Sequence, residues 1–315
     1  MIEKLEIENY RGIAHGEISG LAPLTILVGP NSSGKSSVLE ALFVGGGPHT
    51  EPLARIALRR GFIGDATIAA LLPTGTATIV VTEGGNPFRL DIEKRGPQNM
   101  IGTVAAGQFQ VTLLGPKQWG GGGTGSTRAV TFVEVEKADI DPEELDKAVS
   151  QADLRGERPL LIKLLEPLLP GIKDLRSLRP GDRYTAYVVD DSTSPWPAIV
   201  AGDGIKRLLF LAARLAADKS GIVLVEEPET YLHFSALQQI ARLFWQTVTA
   251  APAKQIVATT HSLELLDALF GFEGADLTKA ALFRLSLRGG KLKAVRVAGE
   301  KVRELRAEIG EDLRR

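Results

Sequence analysis

The chain has 315 residues, 37 Lys and Arg against 38 Asp and Glu, and no cysteine. A formal net charge of −1 excludes a protein that coats nucleic acid by bulk charge alone, and the missing thiols exclude disulfides, zinc–thiolate sites, iron–sulfur clusters and cysteine nucleophiles. With 44% hydrophobic and 24% charged residues the composition is globular, and at about 100–200 residues per domain the length fits one large domain or two small ones.

The opening segment Met1–Glu8 is dense in charge and has no signal-peptide run. Apolar stretches reach about ten residues, where a membrane helix needs about 20. A cytoplasmic protein without a membrane partner is expected. Ile2 to Ile7 and Gly16 to Ile18 read as short strands, and Leu24-Thr25-Ile26-Leu27-Val28 as a buried one. Ser36 to Phe43 has helical spacing, and Gly45-Gly46-Gly47-Pro48 stops it. Thr76–Thr82 and Phe88–Glu93 alternate with period two around Gly84-Gly85-Asn86-Pro87, a hairpin pattern. Further strands are expected near 108–114 and 128–136, bracketing Trp119 to Ser126, a glycine-rich loop expected to be mobile and unpacked.

From 137 to 181 the pattern predicts two short helices broken by Gly156, Pro159, Pro167 and Pro170, which excludes a long coiled coil. Asp141-Pro142-Glu143-Glu144 reads as a helix cap with a first-turn proline. The same stretch offers Asp139-x-Asp141 as a metal pair, which the cap explains more simply. The last third alternates helix 204–217, strand 221–226, helix 235–250, strand 255–260 and helix 262–270, the pattern of a parallel sheet in an α/β core. A hairpin over Ala281–Val297 and a helix over 299–309 close the chain.

Gly29-Pro30-Asn31-Ser32-Ser33-Gly34-Lys35-Ser36 fits G-x-x-x-x-G-K-[ST] between a strand and a helix, the setting in which backbone N–H groups and a helix N-terminus cradle phosphate. In that reading Lys35 reaches the β- and γ-phosphates and the Ser36 hydroxyl ligates Mg²⁺, with Ser37 beside it. Ile222-Val223-Leu224-Val225 then delivers Glu226-Glu227-Pro228-Glu229 at a strand's carboxyl end, where α/β sheets hold ligands. Glu226 serves the metal and Glu227 orients the attacking water. The strand Gln255–Thr259 leads to Thr260-His261-Ser262, with His261 placed to sense a γ-phosphate.

In this order the motifs resemble the ABC-like ATPases of the SMC/RecF/OLD branch, the AAA_21 type of AAA family ATPase. The likeness rests on Leu5 to Gly12 with its Asn9-Tyr10-Arg11 turn, the phosphate loop, Gly202-Asp203-Gly204-Ile205-Lys206-Arg207 as a signature motif, the acids with Leu232-His233, and His261. It implies a P-loop NTPase of ABC-ATPase head type, α/β, with an N-terminal antiparallel β subdomain and a small inserted helical lobe. The expected division is 1–136 and 218–315 as the nucleotide-binding lobe and 137–217 as the inserted signature lobe.

It further implies ATP and Mg²⁺ as cofactors and a head-to-head dimer. Each ATP on one phosphate loop would meet the partner's signature residues Gly202, Asp203, Gly204 and Lys206. Gly202 stands where cassette ATPases carry a serine, so backbone donors remain, and Asp203 is expected to cap the helix. Arg11 is open between a nucleotide contact and a surface arginine, and the Q-loop glutamine between Gln98, Gln108, Gln110 and Gln118. Three roles fit: a dimer that switches a partner such as a separate nuclease, a RecF-like clamp on DNA, and a transporter subunit, which the motifs suit least. No Toprim nuclease is expected before Arg315. For the clamp, the candidate cations are Arg55, Arg59, Arg60, Lys206, Arg207, Arg314 and Arg315.

Overall fold

A computed structural model describes residues 1–59, 65–115, 118–125, 129–134, 140–179, 182, 184–192, 194–230, 232–250 and 253–314. Arg60, Ser126, Asp139 and Arg315 lie outside them. The chain begins with β1 (Ile2–Tyr10), β2 (Ile13–Ser19) and β3 (Leu24–Val28), then α1 (Lys35–Gly46), α2 (Thr50–Arg59) and α3 (Asp65–Leu71). Five strands follow in sequence: β4 (Thr76–Glu83), β5 (Asn86–Lys94), β6 (Asn99–Val104), β7 (Gly107–Gly115) and β8 (Gln118–Gly123). After β9 (Thr131–Glu134) come α4 (Pro142–Asp153) and α5 (Arg158–Leu165), then β10 (Asp174–Leu178), β11 (Thr185–Val189), β12 (Trp196–Pro197) and α6 (Asp203–Ala217). The remainder is β13 (Ile222–Glu226), α7 (Phe234–Thr249), β14 (Gln255–Thr259), α8 (Leu263–Phe270), β15 (Ala280–Arg288), β16 (Lys291–Ala298) and α9 (Gly299–Glu304).

Thirteen strands form one sheet in the order β8-β7-β6-β5-β4-β1-β2-β16-β15-β3-β14-β13-β9. Its second half is parallel: β3 lies between β15 and β14, and β13 between β14 and β9. Every residue of β3, β13 and β14 is buried, as expected where helices cover both faces. Alternate residues of these strands enter two cores. Leu224 and Val257 pack with α1 and the antiparallel strands, while Val223, Val225, Ile256 and Ala258 pack with α6, α7 and α8. Strands β10, β11 and β12 form a separate small antiparallel sheet beside α4 and α5.

Two parts of the sequence reading change. The glycine-rich stretch expected to be an unpacked loop is β8, paired antiparallel to β7 from Phe109↔Gly123 to Leu113↔Trp119. Glycines favour it here because the backbones crowd: a Cβ on Gly121 would meet the Gln110 carbonyl oxygen at 2.2 Å, and one on Gly123 the Gln108 oxygen at 2.3 Å. The signature helix is capped by Gly202 without a side-chain bond, and Asp203 is its first helical residue. There its exposed carboxylate pairs with Lys206 at 2.7 Å, an i,i+3 pair at the positive end of the helix. The Asp141 cap is present, accepting from the Glu143 N–H at 2.9 Å.

Candidate nucleotide site

Strand β3 ends at Val28 and α1 starts at Lys35, so Gly29–Gly34 must turn the chain within six residues. The turn uses left-handed backbone at Ser32 (φ 63°) and Gly34 (φ 94°). Gly29 (φ 149°) passes so close to β15 that a Cβ would sit 2.4 Å from the Leu285 carbonyl oxygen. Among the described residues no side chain caps α1, which leaves its first N–H groups for a ligand. The buried Ser33 hydroxyl also has no hydrogen-bond partner among the described residues.

A cleft of about 410 Å³ opens over this loop, lined by Asn31 to Ser37 together with Arg11, Glu227, His261 and Leu287. Lys35 folds back so that its ammonium donates to the carbonyls of Gly29 (2.9 Å) and Pro30 (3.1 Å). Burial lowers the Lys35 pKa, and the negative charges of Glu227 and Glu229 oppose that shift. Glu227 sits just beyond β13 in left-handed backbone (φ 43°), its N–H donating to Thr259 Oγ1 at 3.1 Å. The Glu227 carboxylate lies 3.0 Å from His261 Nε2. Burial and then the Lys35 charge hold the His261 imidazole below its ordinary pKa, with Glu227 pulling the other way.

Glu226, the last residue of β13, is buried and is not among the residues that line the cleft. Its carboxylate is ion-paired with Arg59 on α2. The same guanidinium meets Glu134 at the end of β9 and Glu40 of α1, each at 3.2 Å, and stacks over the Phe132 ring at 5.2 Å. Glu40, fully buried, is also paired with Arg11 at 2.5 Å. Arg11 therefore combines a place in the cleft wall with a buried ion pair and is not a free surface cation. Ser36 offers the cleft a hydroxyl, a hard oxygen donor suited to Mg²⁺, whereas the Glu226 carboxylate is held by Arg59 outside the cleft lining and would have to leave that pair to join the ion. Among the described residues no three or more His, Asp or Glu gather into an all-protein cage. A single protein hydroxyl fits a metal that takes most of its shell from phosphate oxygens and water.

Arg59→Ala would leave the buried carboxylates of Glu226 and Glu134 uncompensated. The expected loss is about 3–5 kcal/mol, the usual cost of removing one partner of a buried pair. A thermal melt reads it as a fall of several degrees, and an unchanged melting temperature would show that the network contributes nothing net.

Sequence reasoning missed Arg59 as the hub, with Glu40 and Glu134, because α2 went unassigned and neither acid stands in a motif. None of the four glutamines lines the cleft. Gln108 and Gln110 lie on β7 and bond to Thr103 and Asn99. Beside Glu226 the neighbouring strand instead presents Glu134. Gly202, Asp203, Gly204 and Lys206 also lie outside the cleft lining. Of the DNA-clamp cations among the described residues, Arg55 donates to the Phe132 carbonyl, Arg59 and Arg207 are inside the fold, Lys206 pairs with Asp203, and Arg314 pairs with Asp312; Arg60 and Arg315 lie outside the described residues.

Two family models match the chain: "AAA domain, putative AbiEii toxin, Type IV TA system" over residues 127–267 and "AAA ATPase domain" over residues 1–60. Among curated proteins, the uncharacterized protein MJECL11 of Methanocaldococcus jannaschii is 31% identical over 113 residues, covering 36% of this chain and 98% of the relative. MJECL10 of the same organism is 36% identical over 74 residues, and the match spans 22% of this chain and 34% of that protein. Among solved structures, an SMC head bound to the C-terminal winged-helix domain of ScpA has a TM-score of 0.62 at 16% identity, covering 96% of this chain and 99% of that one. The SMC head domain from Thermotoga maritima has a TM-score of 0.52 at 17% identity, covering 94% and 98%. Two stretches of the chain thus match AAA ATPase domain models, and its fold is that of an SMC head.

Proposed function

We propose that the chain is an Mg²⁺-dependent ATPase that pairs head to head around ATP and uses that closure to switch a partner chain. The observation that carries the reading is the meeting of Lys35, Glu227 and His261 on one cleft over the phosphate loop, from segments far apart in sequence. In this reading the loop N–H groups of Gly29, Asn31, Ser32, Ser33 and Gly34 and the start of α1, with Ser37, hold the phosphates, Pro30 shapes the turn without an N–H of its own, and Arg11 borders them. Lys35 exchanges its two carbonyl partners for phosphate oxygens and stabilises charge on the transferred group. Mg²⁺ held by Ser36, with Glu226 released from Arg59 to join it, would supply neutralisation of the phosphate charge. Glu227 orients the water and takes its proton as the water oxygen bonds to the γ-phosphorus and the bond to the ADP oxygen breaks. His261 senses the γ-phosphate beside it.

Dimer formation is supported by the position of the signature residues. They stand outside their own chain's cleft, at a helix N-terminus whose Gly202 cap has no side chain, with Leu232 against Gly204. Val200 and Phe234, flanking this region in sequence, are 67% and 55% exposed. We place the lobe boundaries near 136 and 217, with α4, α5, the small sheet and α6 as the inserted lobe. Two of the structural relatives carry a bound ScpA domain, which supports a partner chain here as well.

The test is the solution mass of Glu227→Gln by light scattering with and without Mg-ATP. A mass that doubles only with ATP is expected. A variant that binds ATP and stays monomeric would remove the dimer from the proposal.

A further inference from the structure

The third acid of the Glu226-Glu227-Pro228-Glu229 run has no part in the chemistry above, and the structure turns it toward the histidine. Its Oε1 accepts two hydrogen bonds from the loop after β14: the Thr260 hydroxyl at 2.6 Å and the His261 N–H at 2.8 Å. From the other side, Arg314 donates to the His261 carbonyl at 3.0 Å. Both polar groups of the His261 main chain are thus held by side chains distant in sequence. The ring is left to meet Glu227 at 3.0 Å. Thr259 returns the tie by accepting the Glu227 N–H at 3.1 Å. The ends of β13 and β14 are therefore cross-linked in both directions, and the link holds Glu227 in a backbone conformation that a residue other than glycine adopts only under constraint.

We propose that Glu229 is a positioning residue that sets His261 against Glu227, so that the two meet the γ-phosphate and the water as one unit. The inference rests on the ATPase reading. The acceptor is the oxygen that bonds to Thr260 and His261. The other oxygen, Oε2, is shut off from solvent without a partner. Burial raises the Glu229 pKa, and a glutamine amide has the same shape and the same acceptor. The Glu227–His261 contact spans a single hydrogen-bond length, so a shift of the loop by about 1 Å is expected to cost on the order of a hundredfold in rate.

The experiment compares Glu229→Ala, Glu229→Gln and Thr260→Val with the wild-type chain in steady-state ATP hydrolysis, in ATP affinity by calorimetry and in the ring signals of the four histidines by NMR. Glu229→Ala should lower kcat by about a hundredfold with ATP affinity nearly unchanged, and should move the His261 ring signal alone. Glu229→Gln should restore turnover to within a few-fold, and Thr260→Val should fall between the two. Wild-type turnover in Glu229→Ala would overturn the inference, as would a glutamine variant as impaired as the alanine one. If Glu229→Ala does not fold, the glutamine and valine variants decide in the same way. A wild-type chain that binds ATP without hydrolysing it would remove the ATPase reading and leave the positioning role to be judged by the His261 signal. A signal unmoved by Glu229→Ala would then overturn the role too.

Discussion

Glu227→Gln is expected to lower ATP turnover by roughly 10²–10⁴-fold, the usual contribution of a positioned acid–base group, while ATP stays bound. The amide keeps the shape of the carboxylate, and the backbone tie to Thr259 is untouched because it uses the main-chain N–H. What is lost is the ability to take a proton from water. The amide can still face His261, so the site should remain assembled and accumulate ATP. Single-turnover hydrolysis with a parallel affinity measurement separates the two effects. Turnover at the wild-type rate would strip Glu227 of its assignment and direct attention to Glu226 or His261.

The second large effect is expected for Lys35→Ala, which should weaken ATP binding by about a hundredfold or more. The 2–5 kcal/mol typical of deleting one partner of a buried charged pair is of that size. The ammonium is already inside the fold, with the Lys35 residue only 6% exposed, and rests on two carbonyl oxygens of its own loop. Its desolvation is therefore met before ligand arrives, and the exchange of carbonyl for phosphate oxygen strengthens the bond. Because the buried charge is a cost to the ligand-free fold, its removal should leave the melting temperature within a few degrees of wild type. A variant that loses both stability and binding would mean that Lys35 builds the loop instead of serving the ligand.

The parallel half of the sheet was readable in advance because β3, β13 and β14 are mostly apolar runs that lead into polar motifs. The cleft was readable for the same reason: strand ends carry Lys35, Glu227 and His261 to one edge. The hairpins on either side of Gly84-Gly85 and Gly289-Gly290 announce themselves by alternation and turn chemistry. Strand β8 did not, since four consecutive glycines have no side-chain pattern and are held by backbone pairing alone. Nor did β6, whose six residues include Asn99 and Gly102, both poor strand formers. The small sheet of β10–β12 is built from segments of two to five residues, too short to carry a period. Glu229 was visible as part of a motif, but its partners Thr260 and His261 lie on another strand end, and no local spacing connects them.

The place of β3 in the sheet has a consequence for how the chain reaches this state. Leu24 lies beside Ile256 on one side and Ala280 on the other. The strand that carries the phosphate loop therefore has no lateral neighbour from its own half of the chain. During synthesis β1, β2 and β4 to β7 can pair locally as they emerge, whereas β3 waits until most of the chain has been made. Closing such long loops is slow, and the exposed edges of β3 are a route to association with other unfinished chains until β14 and β15 arrive. Assembly of the nucleotide cleft is thus a late folding event, and a chain truncated before β14 keeps the phosphate-loop sequence without the surface that makes it a site.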